Sequence, residues 1–122
     1  MKRKILIVDD NPHILEAIAF VLETENYNVE TVNKSEGVEE TIKKYRPDLI
    51  LLDLLLSGRT GEEITKVLKM DKKMKNIPII IISAHPTASK IAKDAGADGF
   101  IAKPFDINLL LEQIQNFLPI TN

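Results

Sequence analysis

Short apolar runs alternate with segments of helical periodicity, and this alternation limits the fold of the chain more than any other feature. The runs are rich in isoleucine, leucine and valine, and they occupy residues 5–8, 29–32, 49–53, 79–83 and 99–102. Near-continuous apolar runs separated by helices are typical of parallel strands that are covered on both faces. The sequence therefore predicts an α/β fold, a doubly wound parallel sheet of five strands in the order 2-1-3-4-5 with five helices.

The first two helices have clear signals at their ends. Asn11 is placed to cap the first helix and Pro12 suits its first position. The buried face of that helix is predicted from an apolar repeat, Ile14, Ile18 and Leu22, beside Leu15 and Ala19. We expect the second helix over residues 35–45, because Pro47 disfavours helical backbone in the residue before it.

The remaining helices are predicted from apolar spacing and from their caps. The third follows Gly61 and turns three apolar residues inward, Ile64, Val67 and Leu68. Gly96 is placed to end the fourth helix in a left-handed conformation. The fifth is expected over residues 107–117 with Asp106 as its N-cap. With 122 residues the chain suits one domain, residues 1–122.

Composition narrows the classes of partner. A formal net charge of −2 gives no basic field for nucleic acid, so we expect no direct nucleic-acid binding. The most apolar stretch, residues 49–56, contains Asp53 and is far shorter than a membrane span, so we expect no membrane contact. The chain has no cysteine, and only four apolar residues follow Lys4, which excludes a secretory signal. A soluble, cytoplasmic protein is predicted.

Polar residues stand where the apolar runs end. They are Asp9, Asp10, Asp53, Ser83 and Lys103. Because the carboxyl ends of parallel strands share one edge, we expect three carboxylates, a hydroxyl and an amine around one small pocket. The strand order also reverses between the first and third strands, where ligands bind in folds of this class.

This set of groups favours a divalent cation and a phosphoryl group. Close carboxylates repel one another, and Mg²⁺ is held by carboxylates together with phosphate oxygens. Lys103 and Ser83 can each donate a hydrogen bond to a phosphoryl oxygen. Because the sequence has no glycine-rich phosphate-binding loop, we expect a covalent phosphoryl group instead, with Asp53 as the nucleophile and Asp9 and Asp10 as metal ligands.

Four motifs resemble those of a known family. They are I-L-I-V-D-D-N (5–11), L-I-L-L-D-L-L-L-S-G-R-T-G (49–61), I-I-I-S-A (80–84) and A-K-P-F (102–105). In this order and spacing they resemble the receiver domain of bacterial two-component response regulators, the CheY-like family, over nearly the whole chain. The resemblance implies a signalling switch in a phosphorelay rather than a conventional enzyme. It also implies a flavodoxin-like fold and a histidine kinase or histidine phosphotransfer protein as phosphodonor.

The resemblance assigns roles to the site residues. Asp53 would be the phosphoacceptor, and Asp10, Asp53 and the backbone carbonyl of Leu55 would bind Mg²⁺ directly, with Asp9 acting chiefly through water. Lys103 and Ser83 would contact the phosphoryl group.

The resemblance also implies a conformational switch. Ser83 and Phe100 would be the switch residues, and the Lys103–Pro104 peptide bond would be cis. The fourth helix, fifth strand and fifth helix would form the face that binds a downstream protein or a second copy of the chain. Two positions depart from the common pattern: Ser57 replaces a frequent proline, and Phe100 replaces an also common tyrosine.

The same residues bear on three alternative functions. Dehalogenase-type phosphatases carry a second acid two residues after the nucleophilic aspartate, whereas here that residue is Leu55. A non-phosphorylatable module of the same fold would be expected to lose some of the acidic residues or the lysine. A stand-alone receiver is the expectation, and a receiver fragment of a longer regulator with a DNA-binding or enzymatic output domain is the alternative.

Overall fold

A computed structural model describes residues 2–119, and in it five strands alternate with five helices. Met1 and residues 120–122, which the predicted domain includes, lie outside the described residues. The strands are Lys4–Val8 (β1), Asn28–Val32 (β2), Leu49–Asp53 (β3), Ile79–Ser83 (β4) and Gly99–Ala102 (β5). The helices are Pro12–Thr24 (α1), Val38–Tyr45 (α2), Gly61–Met70 (α3), Ala88–Ala95 (α4) and Ile107–Phe117 (α5). No helix within residues 2–119 combines the length and apolarity needed to cross a membrane.

The strands form one parallel sheet in the order β2-β1-β3-β4-β5, which confirms the predicted fold. All five residues of β3 and all five of β4 are buried, because helices cover both faces of the sheet at its centre. The edge strand β2 has no buried residue. The most apolar strands therefore occupy the centre of the sheet. The functional groups are expected at the carboxyl ends of these strands.

Two cores fill the space between the sheet and the helices. On one face, α1 and α5 contribute Leu22 and Ile114, both fully buried. On the other face, α2, α3 and α4 contribute side chains such as Ile64 and Ala92. The alternating side chains of β1, β3 and β4 are shared between the two cores, which fixes the sheet from both sides.

Predicted caps are confirmed. The Asn11 side chain accepts a hydrogen bond from the backbone N–H of His13 at 2.9 Å. Asp106 accepts one from the N–H of Asn108 at 2.7 Å. Gly96 ends α4 with φ +95°, a conformation that glycine adopts without steric cost.

Three details of the helices differ from the sequence prediction. Helix α2 begins at Val38 rather than at residue 35, because Gly37 has φ +81° and the buried Ser35 is bonded to a distant loop. Val67 was predicted to point inward but is 45% exposed; the buried position is taken by Thr65, whose hydroxyl donates to a carbonyl within its own helix. Ile14 is only half-buried.

Candidate functional site

Four strands bring predicted site residues to one edge of the sheet. Asp53 is the last residue of β3 and Ser83 is the last residue of β4, while Asp9 and Lys103 follow β1 and β5. The backbone N–H of Lys103 donates to the carbonyl of Ser83 at 2.9 Å, which continues the sheet past the end of β5. Residues far apart in sequence are therefore held by the sheet itself.

Lys103 lies between two buried carboxylates. Its Nζ donates to Asp9 Oδ2 at 3.1 Å and lies 3.6 Å from Asp53 Oδ1. Asp9 is 4% exposed and Asp53 is 9% exposed, so little water screens their mutual repulsion. Together, the Lys103 ammonium and the two carboxylates carry a formal net charge of −1.

The electrostatics at Asp53 reflect that net charge. Burial raises the pKa of the Asp53 carboxyl, and the nearby charge of Asp9 raises it further. The ammonium of Lys103 and a hydrogen bond from the backbone N–H of Leu55 act in the opposite direction but do not reverse the shift. A further cation near Asp53 would therefore favour the ionised form of its carboxyl group.

Asp10 is placed apart from this pair. Its Oδ2 accepts hydrogen bonds from both the backbone N–H and the hydroxyl of Ser57, at 2.8 and 3.0 Å. Among residues 2–119 no three acidic, histidine or cysteine side chains are gathered as metal ligands would be. The sequence placed three carboxylates around one pocket; the structure brings Asp9 and Asp53 together and turns Asp10 towards Ser57, because Ser57 offers it two donors.

The two predicted switch residues lie on neighbouring strands. The Ser83 side chain is 2% exposed, and its Oγ accepts a hydrogen bond from the N–H of His85 at 3.1 Å. Phe100 is half-buried on β5 and packs against the core beneath α2, α3 and α4. Its carbonyl accepts a hydrogen bond from the Gln113 side chain of α5 at 3.2 Å. Phe100 therefore contacts the core through its side chain and α5 through its backbone carbonyl.

Leu55 and Pro104 complete the predicted set. Leu55 follows the buried end of β3, yet its side chain is 59% exposed. It lies two positions after Asp53, in the loop that follows β3. The Lys103–Pro104 peptide bond is cis.

The β3–α3 loop, residues 54–60, is tied to the β2–α2 loop by residues that the sequence analysis did not assign to the site. The hydroxyl of Ser35 donates to the carbonyl of Ser57 at 2.6 Å and accepts from the N–H of Arg59 at 3.1 Å. The Arg59 guanidinium makes two parallel hydrogen bonds to the Glu39 carboxylate of α2, one of them 2.7 Å long. That bond to Arg59 is the main reason why the pKa of Glu39 lies below its ordinary value.

Close backbone packing also supports Asp53. The N–H of Gly61, the first residue of α3, donates to the carbonyl of Leu54 at 2.8 Å. A Cβ at position 61 would lie 2.4 Å from the carbonyl oxygen of Asp53 and 2.9 Å from the Cα of Leu54. Only glycine allows α3 to begin this close to the end of β3.

The chemistry of these residues fits a hard divalent cation. The candidate metal ligands at this edge are the carboxylate oxygens of Asp9, Asp10 and Asp53, and Mg²⁺ prefers such oxygens over nitrogen or sulfur ligands. Burial and the nearby charge of Asp9 raise the pKa of Asp53, and a cation beside the carboxylate would offset both effects. The donor set therefore matches Mg²⁺ in kind.

Comparison with known proteins identifies the family. Residues 5–115 match the response regulator receiver domain family. Over 118 residues the chain is 40% identical to the response regulator ArlR of Staphylococcus aureus, and the match covers 94% of this chain and 52% of ArlR. It is 30% identical over 117 residues to the DNA-binding response regulator MtrA of Mycolicibacterium smegmatis, covering 94% of this chain and 50% of MtrA.

The fold is that of solved receiver proteins. The chemotaxis response regulator CheY4 of Vibrio cholerae superimposes with a TM-score of 0.88 at 29% identity, covering 96% of this chain and 99% of CheY4. By contrast, the chain spans about half the length of the curated relatives it matches. The match in sequence, together with the strand order and the paired Asp53 and Lys103, shows that this chain belongs to the receiver domain family of two-component response regulators.

Proposed function

We propose that this receiver is a phosphorylation-dependent switch, which takes a phosphoryl group from a histidine kinase or phosphotransfer protein onto Asp53. The observation that supports this most directly is the buried Asp53 carboxylate at the end of β3, with Lys103 Nζ 3.6 Å from its Oδ1. A buried carboxylate beside a lysine ammonium suits covalent catalysis by a carboxylate. The absence of cysteine from the sequence agrees with a cytoplasmic location.

The proposed reaction exchanges one phosphorus bond for another. An Asp53 carboxylate oxygen attacks phosphorus, a bond forms between them, and the bond from phosphorus to the donor's imidazole nitrogen breaks. The electron pair of that bond stays on the imidazole, which can then take up a proton. The attacking Asp53 oxygen supplies the electron pair of the new oxygen–phosphorus bond, so the carboxylate loses its own negative charge in the acyl phosphate. Lys103 can then donate to a phosphoryl oxygen.

Asp9, Asp10, Asp53 and the carbonyl of Leu55 would hold Mg²⁺. Bound Mg²⁺ would offset the negative charge that develops on the transferred phosphoryl group. The Ser83 hydroxyl, now an acceptor for the N–H of His85, would donate its own proton to a phosphoryl oxygen.

Intact-mass measurement tests the assignment. With Mg²⁺ and acetyl phosphate, the parent chain should gain one acid-labile phosphoryl group, and Asp53→Asn should gain none, because an amide is a poor nucleophile. Asp94→Asn is the matched control, since Asp94 is an exposed residue of α4 and should not affect labelling. An unlabelled parent chain, or equal labelling of Asp53→Asn, would contradict the assignment.

We propose that phosphorylation alters the face formed by α4, β5 and α5, and that this face binds a downstream protein or a second copy of the chain. On α5, Ile107 and Leu109 are 47% and 44% exposed, more apolar surface than one buried stripe requires. Light scattering with and without beryllofluoride, a phosphoryl mimic, distinguishes the two partners. A doubled mass that Leu109→Asp abolishes supports the homodimer, and an unchanged mass leaves the downstream protein.

Loss of the phosphoryl group by hydrolysis is proposed to be slow. Leu55 and His85 stand two positions after Asp53 and Ser83, and neither is an amide or carboxylate that could orient an attacking water. Leu55→Asn should therefore shorten the lifetime of the label, measured by intact mass after the donor is removed. An unchanged lifetime would show that Leu55 does not control access of water.

A longer regulator is the second candidate. The curated relatives are about twice the length that this chain covers, and MtrA is described as DNA-binding. In that case the receiver would control an output domain carried on the same polypeptide. An antibody against the receiver distinguishes the two candidates, because a native protein of about 13.7 kDa supports the stand-alone receiver and a larger one supports the fragment.

A further inference from the structure

Ser57 holds Asp10 with two hydrogen-bond donors at once. Its backbone N–H and its hydroxyl both donate to Oδ2 of Asp10, at 2.8 and 3.0 Å. The two residues are 47 positions apart in sequence, so this contact joins the end of β1 to the β3–α3 loop. A carboxylate that accepts two donors on one oxygen is oriented as well as stabilised.

Ser57 is itself held in place. Its carbonyl accepts the 2.6 Å hydrogen bond from the Ser35 hydroxyl, so both backbone polar groups of Ser57 are bonded. The next residue, Gly58, has φ +89°, and a Cβ there would lie 2.6 Å from Ser35 Oγ. The two donors of Ser57 are therefore presented to Asp10 by a loop that is already ordered, and little further entropy is lost in making the contact.

We propose that Ser57 is a latch on Asp10, which competes with Mg²⁺ for this carboxylate and so sets the metal affinity of the receiver. The inference rests on the proposed function in one respect, namely that Asp10 is a Mg²⁺ ligand. Ser57 acts through Asp10 and is a positioning residue.

Asp10 bonded to Ser57 and Asp10 bound to Mg²⁺ are alternative states of the same carboxylate. Asp10 turned to Ser57 does not join Asp9 and Asp53 as a third carboxylate, which spares the buried pair further repulsion. In the proposed latch, Asp10 gives up its hydrogen bonds to Ser57 when it binds Mg²⁺ together with Asp53. The free energy of those bonds is then subtracted from the free energy of metal binding. Proline, frequent at this position in the family, has no N–H and no hydroxyl and could not act in this way.

Mg²⁺ titration of two variants tests the latch without a phosphodonor. Ser57→Ala removes the hydroxyl and should tighten Mg²⁺ binding about threefold, while Ser57→Pro removes both donors and should tighten it about tenfold. Isothermal titration calorimetry gives the dissociation constants. Melting in chelator and in excess Mg²⁺ gives the second readout, because the latch stabilises only the protein without metal. Ser57→Ala should therefore melt lower than the parent in chelator and at the same temperature in saturating Mg²⁺.

Thr60→Ala is the matched control. Thr60 caps α3 by accepting a hydrogen bond from the N–H of Glu63 at 3.1 Å and belongs to the same loop, but it does not contact Asp10. Its loss should lower the melting temperature equally in chelator and in Mg²⁺ and leave the Mg²⁺ dissociation constant unchanged. A purely structural role for Ser57 would give the same equal lowering.

The Ser57 amide provides a direct signal in the parent chain. An N–H bonded to a carboxylate has a downfield proton resonance, and this resonance should move upfield as Mg²⁺ is added, with the same dissociation constant as calorimetry gives. Retention of the downfield shift in saturating Mg²⁺ would overturn the latch, because Asp10 would then bind metal through Oδ1 with Ser57 still attached.

The outcomes separate the latch from the proposed function. If Mg²⁺ affinity falls or stays unchanged in Ser57→Ala, or if the parent binds no Mg²⁺, the latch is overturned, whatever the labelling of Asp53. If Ser57→Ala binds Mg²⁺ more tightly and Asp53 takes no label, the latch stands and the proposed phosphoryl transfer fails.

Discussion

Two loops leave the same edge of the sheet and are anchored in different ways. The β3–α3 loop is bonded to residues 10, 35 and 39, which belong to other elements of the fold. The β4–α4 loop, residues 84–87, is exposed, and within residues 2–119 its hydrogen bonds all join positions no more than four apart. The β3–α3 loop is thus fixed by tertiary contacts, whereas the hydrogen bonds of the β4–α4 loop are all short-range.

The difference matches the roles proposed for the residues beside each loop. Asp53 and Leu55 stand at the fixed loop, where a reacting group has to keep its position. Ser83 stands at the start of the loosely anchored loop, where a change of partner for its hydroxyl meets little resistance. Stability should therefore depend strongly on the β3–α3 loop and weakly on the β4–α4 loop.

The largest effect is expected for Gly61→Ala. Its Cβ would meet backbone atoms of Asp53 and Leu54, which cannot move without shifting β3, and we expect a loss of about 3 kcal/mol in unfolding free energy. Gly99→Ala is the matched change on β5, where the Cβ would meet only side-chain atoms, at 3.3 to 3.4 Å, and should cost about 1 kcal/mol. Urea denaturation measures both. Equal losses would contradict the tight backbone packing between the start of α3 and the end of β3.

A smaller effect is expected for Glu39→Gln, which weakens the ion pair with Arg59. Because the paired side chains are 27% and 34% exposed, solvent screening limits the expected loss to about 1 kcal/mol at pH 7. Glu62→Gln removes an exposed pair with Lys66 in α3 and should cost about 0.3 kcal/mol. Similar losses in the two variants would show that the Arg59 pair does not anchor the loop.

The stability difference between the parent chain and Glu39→Gln should depend on pH. Arg59 lowers the pKa of Glu39 in the folded chain, so the stabilisation is fully present above the ordinary value of 4.5 and is lost as pH falls through the lower folded value. The difference between parent and Glu39→Gln should therefore shrink in that acidic window. Urea denaturation at stepwise lower pH measures it, and a difference that persists in acid would exclude this linkage.

The smallest effect is expected for His85→Ala in the β4–α4 loop. His85 Nδ1 accepts a hydrogen bond from the exposed N–H of Thr87 at 3.2 Å, and water can replace it. The change in unfolding free energy should stay within about 0.5 kcal/mol. A loss as large as that of Glu39→Gln would mean that the two loops are equally anchored.

The sequence was sufficient to predict the sheet and the residues at its edge. Buried parallel strands are read from short apolar runs, and the residue that ends each run then has to lie at the common edge. Asp9, Asp53 and Lys103 were placed by this reasoning alone, and the structure brings them into contact. The capping residues Asn11 and Asp106 were equally accessible, because a cap acts on backbone within three residues.

The contacts between loops could not be predicted. Ser35 was predicted to belong to the second helix, but it lies outside because Gly37 has φ +81° and because Ser35 contacts Ser57, 22 positions away. No periodicity encodes such a contact. The expectation that residues at strand ends meet at one edge placed Asp10 with Asp9 and Asp53. For the same reason, it could not reveal that Ser57 would hydrogen-bond to Asp10. The departure from proline at Ser57 was the one visible signal.

The bridge made by Lys103 also bears on how the chain folds. Lys103 and Asp9 are 94 positions apart, so the counter-charge for two buried carboxylates arrives only when β5 has joined the sheet. Until then, a partly folded chain with β1 and β3 paired would either protonate Asp9 and Asp53 or keep that edge open to water. Docking of the last strand and arrival of the Lys103 counter-charge are therefore one event, which makes the contact between Lys103 and Asp9 a marker of completed folding.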